Sequence, residues 1–230
     1  MGSALIRWLL AAALLASLAA GLAAAESQKG RLRILQNGQP IGSERYEITA
    51  TATEIHARGE IELRMDGVKV RQTASLLLNR ELVPRKYEWK MEEPVKSWRR
   101  VEFTGSQATI RYPLEKGKED QQVFDFGSAR VAILDLYHHF LLLARLYDFS
   151  QGGPQTVQLF IPQKVQPGPA TLELQGVETL TVEGQPQPVR QLSITTEDSR
   201  VLLWVTESGG FVRLRAPLEN VEVVPESAAP

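Results

Sequence analysis

Three histidines and a nearby acid are the residues of this 230-residue chain best suited to chemistry. His138 and His139 stand side by side in the run ILDLYHHFLLLARLYDF, residues 133–149. Asp135 lies three and four positions before them, and His56 sits apart in a β-patterned stretch. On a helix this spacing suits a carboxylate–imidazolium contact or, in principle, two ligands to one metal ion. Adjacent side chains on a helix diverge by about 100°, so both imidazoles cannot face one ion, and the spacing is not the H-E-x-x-H of a helical zinc site. The expectation is a pair of histidines on the half-exposed rim of a helix, with no metal and no cofactor. Hydrolysis or metal-dependent catalysis by Asp135, His138, His139 or His56 ranks last, because the pattern brings no nucleophile, base and orienting group together. ESGGF, residues 207–211, lacks the G-x-S-x-G spacing of a nucleophile elbow and reads as a hairpin turn. No phosphate-binding glycine loop occurs.

The elements that must position these residues are mostly strands. Period-two runs interrupted by Asn37-Gly38 and Asp66-Gly67 predict strands near 30–36, 41–50, 53–65 and 68–78 joined by tight hairpins. Ile61, Leu63 and Met65 share one face while Glu60, Glu62 and Arg64 share the other, the mark of an antiparallel sheet with one wet side. The alternation continues through Tyr87, Trp89 and Met91, and resumes after residue 154. Between the two strand groups the apolar run predicts a central helix over about 130–149, ended by Gln151-Gly152-Gly153-Pro154. One helical arc, from Ala132 through Phe140 to Tyr147, is wholly apolar, whereas Leu134, Leu141, Leu142 and Leu146 lie on the second arc with the charged side chains. The fold class expected is mainly β: a strongly curved antiparallel sheet, or half barrel, with one helix packed in its concavity.

Residues 1–25 read as a secretory signal peptide, with Arg7 before an apolar block and a cut expected after Ala25. A single domain over 26–224 and a flexible tail over 225–230 follow. With the leader set aside, 25 basic residues stand against 27 acidic ones, which makes no electrostatic case for nucleic acid. The absence of cysteine excludes a lipid-anchored lipoprotein, disulfides and thiolate catalysis. About 205 residues suffice for one core held by packing alone. An exported protein, periplasmic or extracellular, with no membrane span after cleavage is the expectation.

The order of features resembles a known pattern. IGSERYEI is followed by a meander, LDLYHHFLLLARLYDFSQGG, then LQGVETLTVEGQPQPVRQLSI and VLLWVTESGGFVRLRAP. Gly42, Tyr46, Asp135, Gly176, Glu178, Gly184, Arg190, Leu192 and Trp204 carry the likeness. It is to bacterial periplasmic β-sheet proteins of unknown function, and more distantly to the half barrel of the outer-membrane lipoprotein carriers. Leu136 and Val212 depart from that pattern. The resemblance implies a fold and no mechanism.

The function expected is non-catalytic: an apolar or lipid-like ligand, or a lipidated partner, held in a groove between sheet and helix. Candidate groove residues are Leu134, Asp135, His138, Leu141, Leu142, Arg145, Trp89, Trp98 and Trp204. The alternative is an envelope scaffolding module that binds another protein through a sheet edge. Bases and tryptophans interleave between Arg80 and Lys118, which suits anionic lipid or a glycan better than nucleic acid in an exported protein.

Overall fold

A computed structural model describes residues 26–182 and 184–226 of the chain, so the segment read as a signal peptide lies outside the described residues. Strands form where the alternation predicts them. β1 (Glu26–Gln36) and β2 (Gln39–Ala50) are joined by Asn37-Gly38, and β3 (Glu54–Met65) and β4 (Val68–Asn79) by Asp66-Gly67. These four turn residues have φ of 50°, 75°, 51° and 80°. That left-handed backbone is what a two-residue hairpin needs and what Asn, Asp and Gly tolerate.

The meander continues through β5 (Pro84–Glu93), β6 (Ser97–Thr104), β7 (Gln107–Pro113) and β8 (Glu119–Asp125). A short β9 (Val131–Ile133) precedes helix α1 (His139–Arg145). The second group is β10 (Gln155–Ile161), β11 (Gln166–Val182), β12 (Gln185–Thr195), β13 (Arg200–Thr206), β14 (Phe211–Ala216) and β15 (Val221–Pro225). All fifteen strands form one sheet in the order β8-β7-β6-β5-β4-β3-β2-β1-β15-β14-β13-β12-β11-β10-β9. The two strand groups are thus fused where β15 pairs with β1.

The sheet is barrel-like but open, because its terminal strands β8 and β9 are not paired with each other. Side chains bridge the seam: the Phe124 ring of β8 meets Phe160 of β10 at 5.3 Å between centroids, and Phe126 meets it at 5.9 Å. Leu32, Ile34, Ile48, Ala57, Leu76, Tyr87, Val101 and Ile110 point into the enclosed core and are buried, while their sequence neighbours face outward. Helix α1 lies within this core, with His139 through Ala144 all buried.

Four expectations are corrected. The helix spans seven residues rather than twenty, and 131–133 are extended, with Val131, Ala132 and Ile133 in register with Gln158, Leu159 and Phe160. That ladder is parallel, so the sheet is not wholly antiparallel. The cause is tertiary: the β10 ladder takes the backbone groups of 131–133, and buried side chains from β2 and β5 hold the turn at 134–138. The histidines do not line a rim, since both are fully buried (0 % exposed). At the other end, residues 225 and 226, expected in a tail, belong to the folded sheet: β15 runs to Pro225, the Glu226 N–H donates to the Arg31 carbonyl at 2.7 Å, and its carboxylate pairs with Arg31, while 227–230 lie outside the described residues.

Candidate functional site

A buried polar cluster occupies the middle of the barrel, where the 134–138 turn crosses from β5 to β2. Alternation along β2 points Glu44, Tyr46 and Ile48 inward, so an acid lies in an otherwise apolar phase. Glu44 is fully buried and accepts three hydrogen bonds: from the Tyr137 N–H (2.7 Å), the His138 N–H (2.8 Å) and His138 Nδ1 (2.8 Å). Two of these donors are backbone groups immediately before α1, which have no helical partner of their own. Glu44 therefore serves as the helix's N-terminal acceptor from a distant strand, in place of a local cap. His138 itself makes no side-chain cap.

The His138 ring stacks on Tyr46, with centroids 5.7 Å apart and planes within 4°. Glycines make the room. A Cβ on Gly59 of β3 would lie 2.5 Å from His138 Cε1, and one on Gly30 of β1 would lie 2.6 Å from Tyr46 Cε1. Gly59→Ala is therefore expected to lower the unfolding free energy by roughly 1–3 kcal/mol through overpacking. Gly168→Ala, where a Cβ meets nothing within 4 Å, serves as the control in the same denaturant titration; equal costs at the two sites would refute the packing account.

On the opposite side, Asp135 accepts from the Tyr87 hydroxyl of β5 (2.6 Å) and from the Gln163 N–H (3.3 Å). Its own N–H donates to His139 Nδ1 at 3.2 Å, which leaves the ring proton on Nε2. Burial, with His138 alongside, pushes the His139 pKa well below the ordinary imidazole value, so this ring is neutral. Burial pushes the Asp135 carboxyl the other way, up to about 7, against the pull of the Tyr87 hydroxyl, the Gln163 N–H and the Arg99 guanidinium. A carboxyl raised in the folded state binds more protons folded than unfolded between the usual carboxylate range and neutrality. Its contribution to stability is complete in acid and is lost as pH climbs towards 7. The thermal midpoint of Asp135→Asn minus that of the parent protein should therefore grow more positive from pH 4 to pH 8. A difference that stays flat or falls would contradict the raised value.

In chemical terms the cluster holds two parts of a hydrolytic triad, a histidine and the carboxylate that orients it. Among the described residues no Ser or Thr hydroxyl bonds to either buried imidazole, and both rings are sealed from solvent. Among the described residues the Nε2 atoms of His138 and His139 have no hydrogen-bond partner; the two rings meet edge to face at 4.4 Å, and Tyr87 meets His139 at 5.9 Å. Among the described residues no three His, Asp or Glu side chains converge as a metal site. His56 is on the outer face of β3, its Nε2 2.8 Å from Ser75 Oγ, and takes no part in the cluster.

The remaining candidates do not converge. Trp89 is near the cluster through Arg99, whose guanidinium lies 5.7 Å from its ring, and its indole N–H donates to Gln72 (3.1 Å). Leu141 and Leu142 are core, and Leu134 is half-buried against it. Arg145 reaches Gln28 at 2.8 Å beside a surface recess. Trp98 faces outward under Arg100 (4.9 Å), and Trp204 sits in the second strand group, bonded to Glu178 with Arg213 over its ring at 5.6 Å. Glu44, Tyr87, Gly59 and Arg99 were missed. For Glu44 the signal existed: it shares the inward phase of β2 with Tyr46 and Ile48.

Two further concavities bear on function. A cavity of about 270 Å³ opens at the barrel mouth beside the seam, lined by Leu82, Val83, Phe103, Phe126, Val131 and Leu146. A larger groove, about 790 Å³, crosses the outer face of β1–β5 over the backbone of Gly30 and Gly59.

These features define a class: an open, barrel-like β domain whose interior is braced by a short buried helix and a polar cluster. No protein-family model and no curated protein matches the chain. Among solved structures it is similar to a β-barrel-like protein of the domain of unknown function DUF1849 from Brucella abortus. The TM-score is 0.58 at 10% identity, over 88% of this chain and 94% of that one. The likeness is one of fold, and it agrees with the resemblance drawn from the sequence to β-sheet proteins of unknown function. The structure of this chain gives the residues behind that resemblance a physical reading. A Cβ on Gly42 would meet the Glu62 carbonyl at 2.0 Å, Gly176 sits at a register shift in β11, and Arg190 stacks over Phe149 at 4.3 Å. Among the described residues no helix is long and apolar enough to cross a membrane.

Proposed function

We propose that this is an exported, non-catalytic cell-envelope protein that holds an apolar or lipid-like ligand, or the lipid tail of a partner, at the barrel mouth between the sheet and the end of α1. The observation that carries this reading is the cavity lined by Leu82, Val83, Phe103, Phe126, Val131 and Leu146. An apolar hollow beside an unpaired seam can widen without breaking a ladder, and Val83, 47% exposed, offers apolar surface at its entrance. The groove expected from the sequence is thereby moved from the middle of the helix, where Leu141 and Leu142 are closed in, to its C-terminal end. A non-catalytic reading is supported by the full burial of the His138–Glu44 pair, which seals it from a substrate in solvent. Export is supported by the leader-like segment over 1–25.

Purified protein is expected to raise the fluorescence of a lipophilic dye and to yield lipid on organic extraction. Val83→Trp, which fills the entrance, should weaken dye binding by roughly tenfold while leaving the unfolding midpoint nearly unchanged. The absence of both a dye response and extractable lipid would refute the ligand. A second reading has its own observation: β8 pairs with β7 on one side and with no strand on the other, so an envelope partner could add a strand there. Crosslinking from Gln122 in intact cells would test it.

A further inference from the structure

The groove over the outer face of β1–β5 is separate from the mouth cavity and shares no lining residue with it. Its walls are two rows of outward side chains in cross-strand register. One runs Lys29, Glu47, Arg58, Ser75, Glu88; the other runs Arg31, Arg45, Glu60, Thr73, Lys90. Across five strands the groove extends about 20 Å. Its acids are already engaged: Glu47 with Lys29 (2.9 Å), Glu60 with Arg71 (2.6 Å) and Glu88 with Lys86 (3.0 Å), the last two bases coming from outside the groove. Arg45, Arg58 and Lys90 are exposed and have no carboxylate within 4.0 Å among the described residues. Arg45 stands directly opposite Arg31, a like-charge cross-strand pair that costs stability.

Unanswered positive charge on both walls calls for an anion, and the shape decides which kind. Both edges of β1 through β5 are taken up by ladders, so a peptide lying across them has no backbone to pair with. The large exposed apolar side chains, such as Val95, Val123, Val177 and Leu218, lie elsewhere, so the groove lacks the anchors that a flat lipid surface would engage. What remains is a chain with a carbon-rich body and acidic groups along its length, able to lie on the strip above Gly30 and Gly59. We propose that this groove binds an anionic polysaccharide, whose acidic groups pair with Arg45, Arg58 and Lys90. On β6, Trp98 and Arg100 stand opposite Lys90 and Glu88 and prolong the same two rows, with Arg100, over the Trp98 ring, adding a further cation.

The test is a titration of the purified protein with alginate at low salt, beside neutral dextran and phosphatidylglycerol vesicles. Alginate binds, dextran does not, and the triple variant R45A/R58A/K90A loses about tenfold or more in affinity with an unfolding midpoint no lower than the parent's. The equal charge change K164A/R200A/R215A on the rest of the surface leaves affinity unchanged. A smaller loss, an equal loss in the control variant, no alginate binding at all, or tighter binding of the vesicles through the same three residues would overturn the proposal.

Discussion

Replacing Glu44 by alanine is expected to remove roughly 3–5 kcal/mol of unfolding free energy, the scale on which orphaning several buried hydrogen-bond donors at once is felt. At this chain length that corresponds to a fall of about 6–20 °C in the thermal midpoint. The size follows from what loses its partner. The carboxylate is fully buried, and its removal leaves the Tyr137 and His138 N–H groups and His138 Nδ1 without an acceptor in a site that water does not reach. Glu47, the next acid on the same strand but on the outer face, pairs with Lys29 at 2.9 Å in the open. Glu47→Ala should cost far less, because solvent screens that pair. In a double-mutant cycle, His138→Ala should cost far less in the Glu44→Ala background than alone, because one partner is then already missing. Additive losses, or a Glu44→Ala cost as small as that of Glu47→Ala, would mean that the pair does not brace the helix.

Phe160→Ala should be comparably severe, roughly 3–5 kcal/mol, but with a local signature. Phe160 is fully buried on β10 and is the inner partner of both Phe124 and Phe126, the contacts that span the seam. No ladder joins β8 to β9, so nothing in the backbone compensates for the lost ring. Hydrogen exchange should accelerate most in β7 and β8, with β1–β4 far less affected, since each of those strands is laddered on both sides. Uniform acceleration would show that the seam holds no more loosely than the rest of the sheet. A seam that opens locally is also what entry of an apolar ligand at the mouth requires.

Much of this architecture was legible because strand signals are local. Alternation, together with Asn-Gly and Asp-Gly at the right separation, placed the first four strands within a few residues and carried the strand pattern on through Tyr87 and Trp89. The candidate site was legible only in part. Asp135, His138 and His139 were singled out, but their partners were assigned to one another along a helix. In the folded chain His138 answers to Glu44, 94 residues away, and Asp135 to Tyr87, 48 residues away. The helix was overextended for the same reason: its apolar pattern continues through Val131-Ala132-Ile133, and no local residue announces that β10 will claim that backbone.

The sequence by itself determined a β-rich core without cysteine, where its hairpins turn, and which side chains of each strand face inward, since these depend on residues a few positions apart. Where the helix starts, which acid caps it, that the two histidines are buried rather than wet, and that the sheet stops short of closing were decided by tertiary structure. Each of those depends on groups distant in the chain competing for the same backbone donors and the same enclosed space, and burial alone sets which competitor wins.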